Sequence, residues 1–325
     1  MRKILVTGGL GYVGCVLVNE LLKEGYYVNV IDLGIYGTNI EKNNNLSLFI
    51  GDIRNQQLFK ESVSGCDTVI HLACISNDPS FDLNPELGKS INLDAFRPMV
   101  EISKKEGVTR FIYASSSSVY GIKEQENVDE NFTLEPLTDY SIFKAECEKI
   151  LLEYQSPNFI TTILRPATVC GYSPRQRFDL VVNILTNLAF NKGIIRVFGG
   201  NQLRPNIHIK DMVNAYLKII NASHEKISGE IFNVGFQNMP VIEIANLVKK
   251  IFNKDLDIKI EKTDDNRSYH ISSSKITSQL NFKTNYTVED AIKDLLESFN
   301  KKIFTNSLEN ENYFNIKKMN SINLK

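Results

Sequence analysis

The segment Lys3-Ile-Leu-Val-Thr-Gly-Gly-Leu-Gly-Tyr-Val-Gly14 decides the fold of this chain. An apolar run leads into Gly8, Gly11 and Gly14, spaced G-x-x-G-x-x-G, and residues 13–23 then have the apolar spacing of a helix. Glycines between a strand and a helix permit a tight turn and let a pyrophosphate approach backbone N–H groups at the positive end of the helix. Glycine-rich turns are common, but the strand before this one and the helix after it together predict a nucleotide-binding turn.

Strands and helices continue to alternate through the first half of the chain. Apolar runs predict further strands at 27–31, 46–50, 68–72, 111–114 and 160–164, with helical patterns between most of them. Such alternation favours a parallel sheet covered by helices on both faces, and right-handed crossovers make that sheet doubly wound. We therefore predict an α/β protein with a Rossmann-type, doubly wound parallel sheet and a smaller C-terminal α/β domain.

The second half is less regular. Its pattern predicts a helix at 211–220, a strand at 230–234 and a helix at 241–252, and Thr287 and Asp290 have the spacing of a capping box that opens a last helix. We assign the domains as follows: residues 1–167, with a returning segment at about 207–236, bind the nucleotide; residues 168–206 and 237–300 bind the substrate; residues 301–325 are a polar tail. The tail is rich in Asn and Lys, and we expect it to fray.

The composition is that of an ordinary soluble protein. Hydrophobic residues make up 42% of the 325 residues and charged residues 23%, which excludes a disordered chain, a collagen-like repeat and a small disulfide scaffold. Because 37 Lys and Arg face 38 Asp and Glu, the formal net charge is −1. The chain thus has no overall attraction to nucleic acid or to an anionic membrane, and we expect neither as a partner.

Cysteine and histidine usage points away from disulfides and metals. The five cysteines include no C-x-x-C pair, which favours buried free thiols in a reducing compartment. The four histidines do not have metal-ligand spacing, so we expect no metal site. We see no secretion signal and no run of about 18 apolar residues, and we expect a cytoplasmic protein.

Aspartates end the second and third predicted strands. Asp32 lies about twenty residues after the glycines, where a carboxylate can hydrogen-bond ribose hydroxyls and repel a 2′-phosphate, so NAD is favoured over NADP. Asp52 could reach the adenine edge. The alternative for each is an ordinary aspartate of a strand-end turn, and that alternative is stronger for Asp52.

A tyrosine and a lysine four residues apart are candidates for proton transfer. Tyr140 and Lys144 share one face of a predicted helix. A tyrosine phenol has a pKa of about 10, but a nearby ammonium and a positively charged nicotinamide ring favour the phenolate, which could take a proton from a hydroxyl. A serine of the run 115–118 could hydrogen-bond the substrate oxygen. A packed aromatic beside a solvated lysine, with a serine-rich turn, is the alternative, and it leaves the glycines and Asp32 unexplained.

From about residue 3 to residue 299, the chain resembles the extended short-chain dehydrogenase/reductases, specifically the NAD-dependent nucleotide-sugar epimerase/dehydratase family and its UDP-glucose 4-epimerase-like members. The glycine turn carries this resemblance together with Gly51-Asp52-Ile53, His71-Leu72-Ala73, Ser117-Ser118-Val119-Tyr120-Gly121, Tyr140-x-x-x-Lys144, Leu164-Arg165-Pro166 and His208-Ile-Lys-Asp211. It implies catalytic roles for Ser116, Tyr140 and Lys144. It also implies cofactor contacts from Gly8, Gly11, Tyr12, Val13, Gly14, Asp32, Asp52, Ile53, Leu72, Ala73, Asn92, Tyr140 and Lys144.

Two departures from this family are visible. Sugar 4,6-dehydratases usually carry acidic residues just after the catalytic hydroxyl, whereas this chain has Ser117 and Ser118. Because neutral hydroxyls do not easily supply the acid for water elimination, we place dehydration behind epimerisation. Many relatives have an asparagine near the sugar diphosphate where this chain has Thr168, so that contact differs here.

The resemblance also implies a substrate and a subunit arrangement. Arg204 and Arg267 match arginines that bind the diphosphate of a nucleotide sugar, and a guanidinium can grip phosphate oxygens with two parallel hydrogen bonds. Surface ion pairs are the alternative for both, and Arg175 and Arg177 are weaker candidates on a loop. Substrate contacts are further assigned to Ser116, Ser117 and Thr168. Helices near 87–102 and 140–152 pair subunits in this family, which implies a homodimer.

These observations predict an NAD-dependent nucleotide-sugar epimerase that acts at C4 by transient hydride transfer to bound NAD, in the synthesis of surface-polysaccharide sugars. The first alternative is a nucleotide-sugar 4-dehydrogenase or 4-ketoreductase of the same fold. A non-catalytic NAD-binding regulator is the second, and the intact Ser116, Tyr140 and Lys144 argue against it. The nucleotide base and the sugar depend on the shape of the pocket, which fold analogy does not decide.

Overall fold

The computed structural model describes residues 2–76, 78–253, 255–263, 268 and 270–322. Its strands are β1 (Lys3–Thr7), β2 (Tyr27–Asp32), β3 (Leu46–Ile50), β4 (Thr68–His71), β5 (Arg110–Ala114), β6 (Ile160–Pro166), β7 (Thr168–Cys170), β8 (Ile194–Phe198), β9 (Leu203–His208), β10 (Glu230–Val234), β11 (Gln237–Pro240) and β12 (Asp257–Glu261). Its α-helices are α1 (Tyr12–Lys23), α2 (Gln56–Val63), α3 (Asp78–Phe81), α4 (Pro85–Lys89), α5 (Phe96–Lys105), α6 (Asp139–Glu153), α7 (Val181–Lys192), α8 (Ile209–Asn221), α9 (Val241–Phe252), α10 (Ser274–Leu280), α11 (Val288–Asn300) and α12 (Asn315–Ile322).

Seven of these strands form a parallel sheet in the order β10-β6-β5-β4-β1-β2-β3. Val6 of β1 pairs with Val30 of β2 on one side and with Ile70 of β4 on the other. The chain order therefore reverses between β1 and β4, and doubly wound sheets bind ligands in the crevice outside the carboxyl ends of the strands at this point. The predicted α/β class and doubly wound sheet are confirmed.

The core lies on both faces of this sheet. The fully buried Ile4 and Val6 of β1 pack with residues of α1 and α8, whereas Leu5 packs on the opposite face with α2, α5 and α6. Successive side chains of a strand point to opposite faces, so a strand covered on both sides is apolar throughout. This explains why the first predicted strand shows no polar alternation.

A smaller layer is built from residues after β6. Strands β7, β9 and β11 form one small sheet, and β8 pairs with β12 in parallel. Helices α7, α9 and α11 share a core that includes Val182, Ile244 and Ile292. The capping box predicted for α11 is present, because Thr287 accepts the N–H of Asp290 while the Asp290 carboxylate accepts the N–H of Thr287. The domain limits stay a prediction.

Helix α8 begins two residues earlier than predicted. The ring of His208 accepts the backbone N–H of Lys210 at 3.1 Å, and this cap places the first turn at Ile209. The carboxylate of Asp211 in that turn accepts the backbone N–H groups of Asn285 and Tyr286. The His-Ile-Lys-Asp motif thus fixes a helix start and joins it to the segment before α11.

The segment after α11 differs from the fraying tail expected. Up to residue 322 it is ordered into a short 3-10 turn and α12. The buried ring of Phe178 packs against Phe299, Phe304 and Tyr313, with ring centres 5.5, 5.0 and 5.3 Å away. The Asn- and Lys-rich composition conceals these aromatic anchors, which supply the apolar burial that holds the segment in place.

Candidate functional site

A cavity of about 520 Å³ opens at the carboxyl ends of β1 and β4, where the chain order reverses. Its wall includes the glycine turn, the ends of β2 and β4, the serine run after β5, the start of α6 and Met319 of α12. Small-molecule sites in proteins have volumes of about 300–1,000 Å³. The residues predicted to bind a nucleotide and those predicted to transfer a proton thus share one cavity.

The glycine turn allows a close approach of phosphate to the backbone. Gly8 has a φ of +71°, and a Cβ there would lie 2.7 Å from the backbone nitrogen of Ala73. A Cβ on Gly14 would collide with the carbonyl oxygen of Gly8. Gly11 precedes α1 and supplies no capping side chain, so an anion can approach the first-turn N–H groups of that helix.

Tyr12 and Val13, the first residues of α1, both line the cavity. The Tyr12 hydroxyl donates to the carbonyl oxygen of Gly171 at 2.6 Å and accepts from the Asn183 amide at 3.0 Å, while the Ser173 hydroxyl donates to the Tyr12 carbonyl oxygen at 2.7 Å. Burial raises the pKa of Tyr12 above its ordinary value. The Tyr12 side chain therefore joins the glycine turn to the loop after β7. Because its hydroxyl is already hydrogen-bonded, Tyr12 would contact a ligand through its backbone N–H.

Asp32 ends β2 at the edge of the cavity. Its carboxylate accepts the backbone N–H groups of Leu10 at 3.0 Å and of Gly34 at 2.9 Å. Burial raises the pKa of Asp32, and these two hydrogen bonds and the charge of Arg175 oppose the rise. The carboxylate is thus held in a fixed orientation beside the glycine turn. Together the turn, the cavity and this carboxylate fit a dinucleotide with free ribose hydroxyls.

Asp52, predicted to reach the adenine edge, is gripped by a neighbour. The Arg54 Nε lies 3.0 Å and its Nη2 lies 2.6 Å from the Asp52 Oδ2. Burial raises the pKa of Asp52, but the hydrogen bonds from Arg54 outweigh it and hold that pKa below its ordinary value. Asp52 and Ile53 both line the cavity. If the Asp52 carboxylate contacts adenine, it does so while it also accepts hydrogen bonds from Arg54.

Leu72 and Ala73 line the cavity as expected, whereas Asn92 stands behind its wall. The Asn92 amide donates to the carbonyl oxygen of Ile75 at 3.0 Å and accepts the N–H of Ile75 at 2.9 Å. Ile75 itself lines the cavity. Asn92 therefore shapes the wall through Ile75, and a direct cofactor contact from its side chain stays a prediction.

The three residues predicted to be catalytic meet at the cavity. Tyr140 and Lys144 lie one turn apart on α6, and the side chain of Ser116 hydrogen-bonds that of Tyr140. The Lys144 Nζ donates to the carbonyl oxygen of Ala114 at 2.6 Å and lies 5.7 Å from the centre of the Tyr140 ring. The ammonium is thus held under the phenol, at the end of β5.

Burial raises the pKa of Tyr140 well above its ordinary value, and the Cys74 and Asp78 groups raise it further. The charge of Arg177 and the hydrogen bond with Ser116 act in the opposite direction. In the chain alone Tyr140 is therefore a neutral phenol at neutral pH. More positive charge near the ring, such as an oxidised nicotinamide carries, shifts the balance towards the phenolate.

A buried polar network fixes the serine run from below. The Arg165 Nη2 lies 2.7 Å from the Glu148 Oε2, and both side chains are 3% exposed. The Ser115 hydroxyl donates to the same carboxylate, and the Arg165 Nη1 donates to the Tyr120 hydroxyl at 2.8 Å. This network holds both ends of the segment that carries Ser116, and it gives the Leu-Arg-Pro motif of β6 a physical role.

Four of the residues predicted to bind substrate lie on the cavity wall. They are Ser116, Ser117, which is buried, Thr168 at the start of β7, and Arg204 on β9. The Arg204 Nη1 donates to the carbonyl oxygen of Leu203 at 3.1 Å. Arg267 lies outside the described residues.

Three residues that the sequence ranked low or passed over, Arg175, Arg177 and Asn315, line the cavity. Arg175 and Arg177, considered weak candidates on a loop, are only 3% and 8% exposed and line the cavity. Asn315 of α12 accepts from the Arg175 Nη2 at 2.6 Å, and its side chain donates to the Ser76 hydroxyl at 3.0 Å. The closely spaced arginines were a visible signal, whereas Asn315 lies in the expected tail and had none.

The histidine in β4 is part of the core. His71 is buried, its Nδ1 lies 2.7 Å from the Thr7 hydroxyl, and burial lowers its pKa to about 3. Within the described ranges, no three or more His, Cys, Asp or Glu side chains are grouped to hold a metal ion. In the same part of the chain, no helix is both long and apolar enough to cross a membrane.

Comparison with known proteins agrees with the family resemblance seen in the sequence. The model of the NAD-dependent epimerase/dehydratase family matches residues 4–235. A Bacillus subtilis protein, described as the uncharacterised UDP-glucose epimerase YtcB, is 32% identical over 264 residues, 77% of this chain and 82% of that protein.

Solved structures add likeness over nearly the whole chain. The UDP-glucuronic acid 4-epimerase of Bacillus cereus, solved with UDP-glucuronic acid and NAD, has a TM-score of 0.82 and 26% identity, and the match covers 93% of this chain and all of that one. The UDP-glucose 4-epimerase of Thermotoga maritima, solved with UDP-glucose, has a TM-score of 0.83 and 25% identity with the same coverage.

Proposed function

The chain belongs to the NAD-dependent epimerase/dehydratase family, and from this membership we propose that it inverts the C4 configuration of a nucleoside diphosphate sugar. As a member of the family it is an enzyme whose cofactor is NAD. The position inverted, the sugar and the residue roles below are our proposal. Its main support is that Ser116, Tyr140 and Lys144 are brought together beside the glycine turn in one cavity.

Tyr140 is the group that moves the proton. NAD, when bound, would supply the chemistry of accepting a hydride from C4 and returning it to the opposite face of the sugar. The Tyr140 oxygen takes the proton of the C4 hydroxyl during oxidation and gives it back during reduction. The Ser116 hydroxyl, already hydrogen-bonded to Tyr140, holds the sugar oxygen as its charge changes.

Lys144 supports the base from a fixed place. Because its Nζ donates to the Ala114 carbonyl oxygen at 2.6 Å, the ammonium remains beneath the Tyr140 ring. A cation there stabilises the phenolate once the positive charge of oxidised NAD is added. The polar network of Arg165 and Glu148 keeps Ser116 in register with this pair.

Epimerisation is favoured over water elimination by the residues next to Ser116. Ser117 and Ser118 carry hydroxyls, and the Ser118 hydroxyl lies 2.8 Å from that of Ser116. A hydroxyl donates a proton far less readily near neutral pH than a carboxyl group does. These positions therefore support proton relay through Tyr140 and supply no second acid for dehydration.

The substrate side of the proposal rests on the wall residues. Arg204, with Arg267, would bind the diphosphate, and Ser117 and Thr168 would contact the sugar. The UDP-sugars bound in relatives support a nucleotide sugar as the ligand. A role in making surface-polysaccharide sugars and a homodimer built on residues 87–102 and 140–152 complete the proposal; both come from the family resemblance.

The test is a panel of UDP-, GDP-, CDP- and dTDP-sugars, including UDP-glucose and UDP-glucuronic acid, supplied with NAD. Product configuration is read by NMR and free NADH by absorbance. A C4 epimer without accumulating NADH supports the proposal. A keto product with stoichiometric NADH would instead identify a 4-dehydrogenase, and loss of water would identify a dehydratase. If no sugar is converted, the proposed epimerase activity is contradicted and only cofactor binding remains.

A further inference from the structure

The buried arginines after β7 lie between the two ends of the cofactor site. The Arg175 guanidinium stacks on the Tyr36 ring, with its carbon 3.6 Å from the ring centre, and its charge acts on Asp32. Arg177 donates to the Ser76 hydroxyl at 3.0 Å, and its charge acts on Tyr140. Asp32 is the residue predicted to bind the ribose of adenosine, and Tyr140 is the residue predicted to lie beside the nicotinamide ring. In a dinucleotide the diphosphate joins those two ends.

Both arginines have donors without a partner. The Nε and Nη1 of Arg175 and the Nη2 of Arg177 are buried and form no hydrogen bond within the described structure. A buried donor left unsatisfied destabilises the folded protein, and more so when it is charged. Such donors on a cavity wall are therefore expected to meet an anion that enters the cavity.

The carboxylate bonded to these arginines, that of Asp179, does not neutralise both of them. Asp179 accepts from the Arg177 Nε at 2.8 Å and from the backbone N–H of Asn315 at 2.9 Å, so it neutralises one of the two arginines. Among the described residues, the Arg175 guanidinium donates to the neutral Asn315 amide and stacks on the Tyr36 ring. Arg175, Arg177 and Asp179 together therefore carry a net positive charge.

The same loop is attached to the glycine turn. The Ser173 hydroxyl donates to the Tyr12 carbonyl oxygen, and the backbone N–H of Arg175 hydrogen-bonds the Cys15 thiol of α1. The loop thus approaches the helix N-terminus whose N–H groups can also bind phosphate.

We propose that Arg175 and Arg177 form a second, cationic half of the diphosphate site of NAD, complementary to the glycine turn, and that Asn315 of α12 positions Arg175 for this contact. The free N–H groups of Arg175 donate to diphosphate oxygens, and the stacked Tyr36 ring limits the guanidinium to one plane. The C-terminal helix becomes part of the cofactor site. This inference concerns binding, so it stands or falls independently of the reaction proposed above.

The experiment compares ligands that differ in their phosphates. Wild-type protein and the R175Q variant, both stripped of cofactor and checked by circular dichroism, are titrated calorimetrically with NAD, ADP-ribose, adenosine and UDP. For R175Q we expect NAD and ADP-ribose to bind about 10- to 100-fold more weakly, the range for losing a charge-assisted hydrogen bond. Adenosine and UDP should bind as to the wild type.

Each other outcome contradicts the proposal. Unchanged NAD affinity would remove Arg175 from the site. An equal loss for adenosine would make Arg175 a packing residue, and a loss confined to UDP would assign its donors to the nucleotide sugar. If R175Q does not fold, R175K carries the test: it keeps the charge but loses the planar fork, so the ratio of ADP-ribose to adenosine affinity should fall severalfold while adenosine binding is unchanged.

Discussion

Arg165 and Glu148 form a buried ion pair directly beneath the serine run, with 2.7 Å between Nη2 and Oε2. Neither residue lines the cavity, yet the pair holds Ser115 and Tyr120 on either side of Ser116. A catalytic hydroxyl placed on a loop is only as well positioned as the groups that anchor the loop. This relationship therefore links the stability of the sheet to the geometry of the site.

Removal of one partner of this pair should destabilise the protein strongly. R165M leaves the Glu148 carboxylate buried without its cation, and we expect the free energy of unfolding to fall by about 3–5 kcal/mol. The double variant E148M/R165M should lose less than the sum of the two single variants. Urea unfolding curves measure all four proteins, and strictly additive losses would show that the pair contributes no coupling.

Tyr140→Phe should abolish turnover while cofactor binding is retained. The substitution removes only the hydroxyl, so we expect the rate constant to fall by about 10²- to 10⁴-fold and the affinity for NAD to change little. Tyr154→Phe is a matched control, since Tyr154 is a half-buried tyrosine that directly follows α6 and does not line the cavity. Turnover by Y140F at the wild-type rate would contradict the mechanism.

Ser116→Ala should change the pH profile as well as the rate. The hydrogen bond with Ser116 lowers the pKa of Tyr140, so its loss raises that pKa and the phenolate forms only at higher pH. We expect the rising limb of kcat against pH to move to higher pH in S116A. A profile of unchanged position with a lower plateau would mean that Ser116 contacts substrate without affecting the base.

His71 should make the fold sensitive to mild acid. Burial lowers its pKa to about 3 in the folded protein, whereas an unfolded histidine titrates near 6.5. The unfolded state therefore binds more protons as the pH falls from about 6.5 towards 3, and stability declines across that window. In urea unfolding at pH 5.5 relative to pH 7.5, H71Q should lose about 1 kcal/mol less than the wild type; an equal loss would assign the sensitivity to other groups.

Asn315→Ala should accelerate the release of NAD. The change removes the acceptor for Arg175 at 2.6 Å and for the Tyr36 hydroxyl at 3.0 Å, so the guanidinium loses its orientation. Stopped-flow displacement with excess ADP-ribose measures the dissociation rate, which we expect to rise severalfold. Asn320→Ala, an exposed position on the same helix, is the control. Equal rates in the two variants would limit Asn315 to a structural role.

The local parts of the fold were predictable from sequence. The glycine turn, Asp32 and the pair of Tyr140 and Lys144 are defined by spacings within single strands, turns and helices, and the structure brings them to one cavity. The sheet could be predicted too, since strands such as β1 carry apolar residues on both faces.

The remaining features depend on contacts between distant residues. Arg175 is buried because Tyr36 and Asn315 cover it, and no spacing along the chain connects these three positions. The sequence predicts a polar tail because its few aromatic residues are scattered among Asn and Lys. Their value comes from meeting Phe178, which no local pattern reveals.

The order of protein synthesis has a consequence for this cavity, whose wall extends from Gly8 in the first turn to Met319 in α12. A ribosome must translate nearly the whole described chain before that wall is complete, and the central sheet itself waits for β10. A nascent chain that has reached residue 300 carries the glycine turn without the helix that completes the cavity wall. Capture of the cofactor is therefore a late event in the biogenesis of this protein, after most of its core has formed.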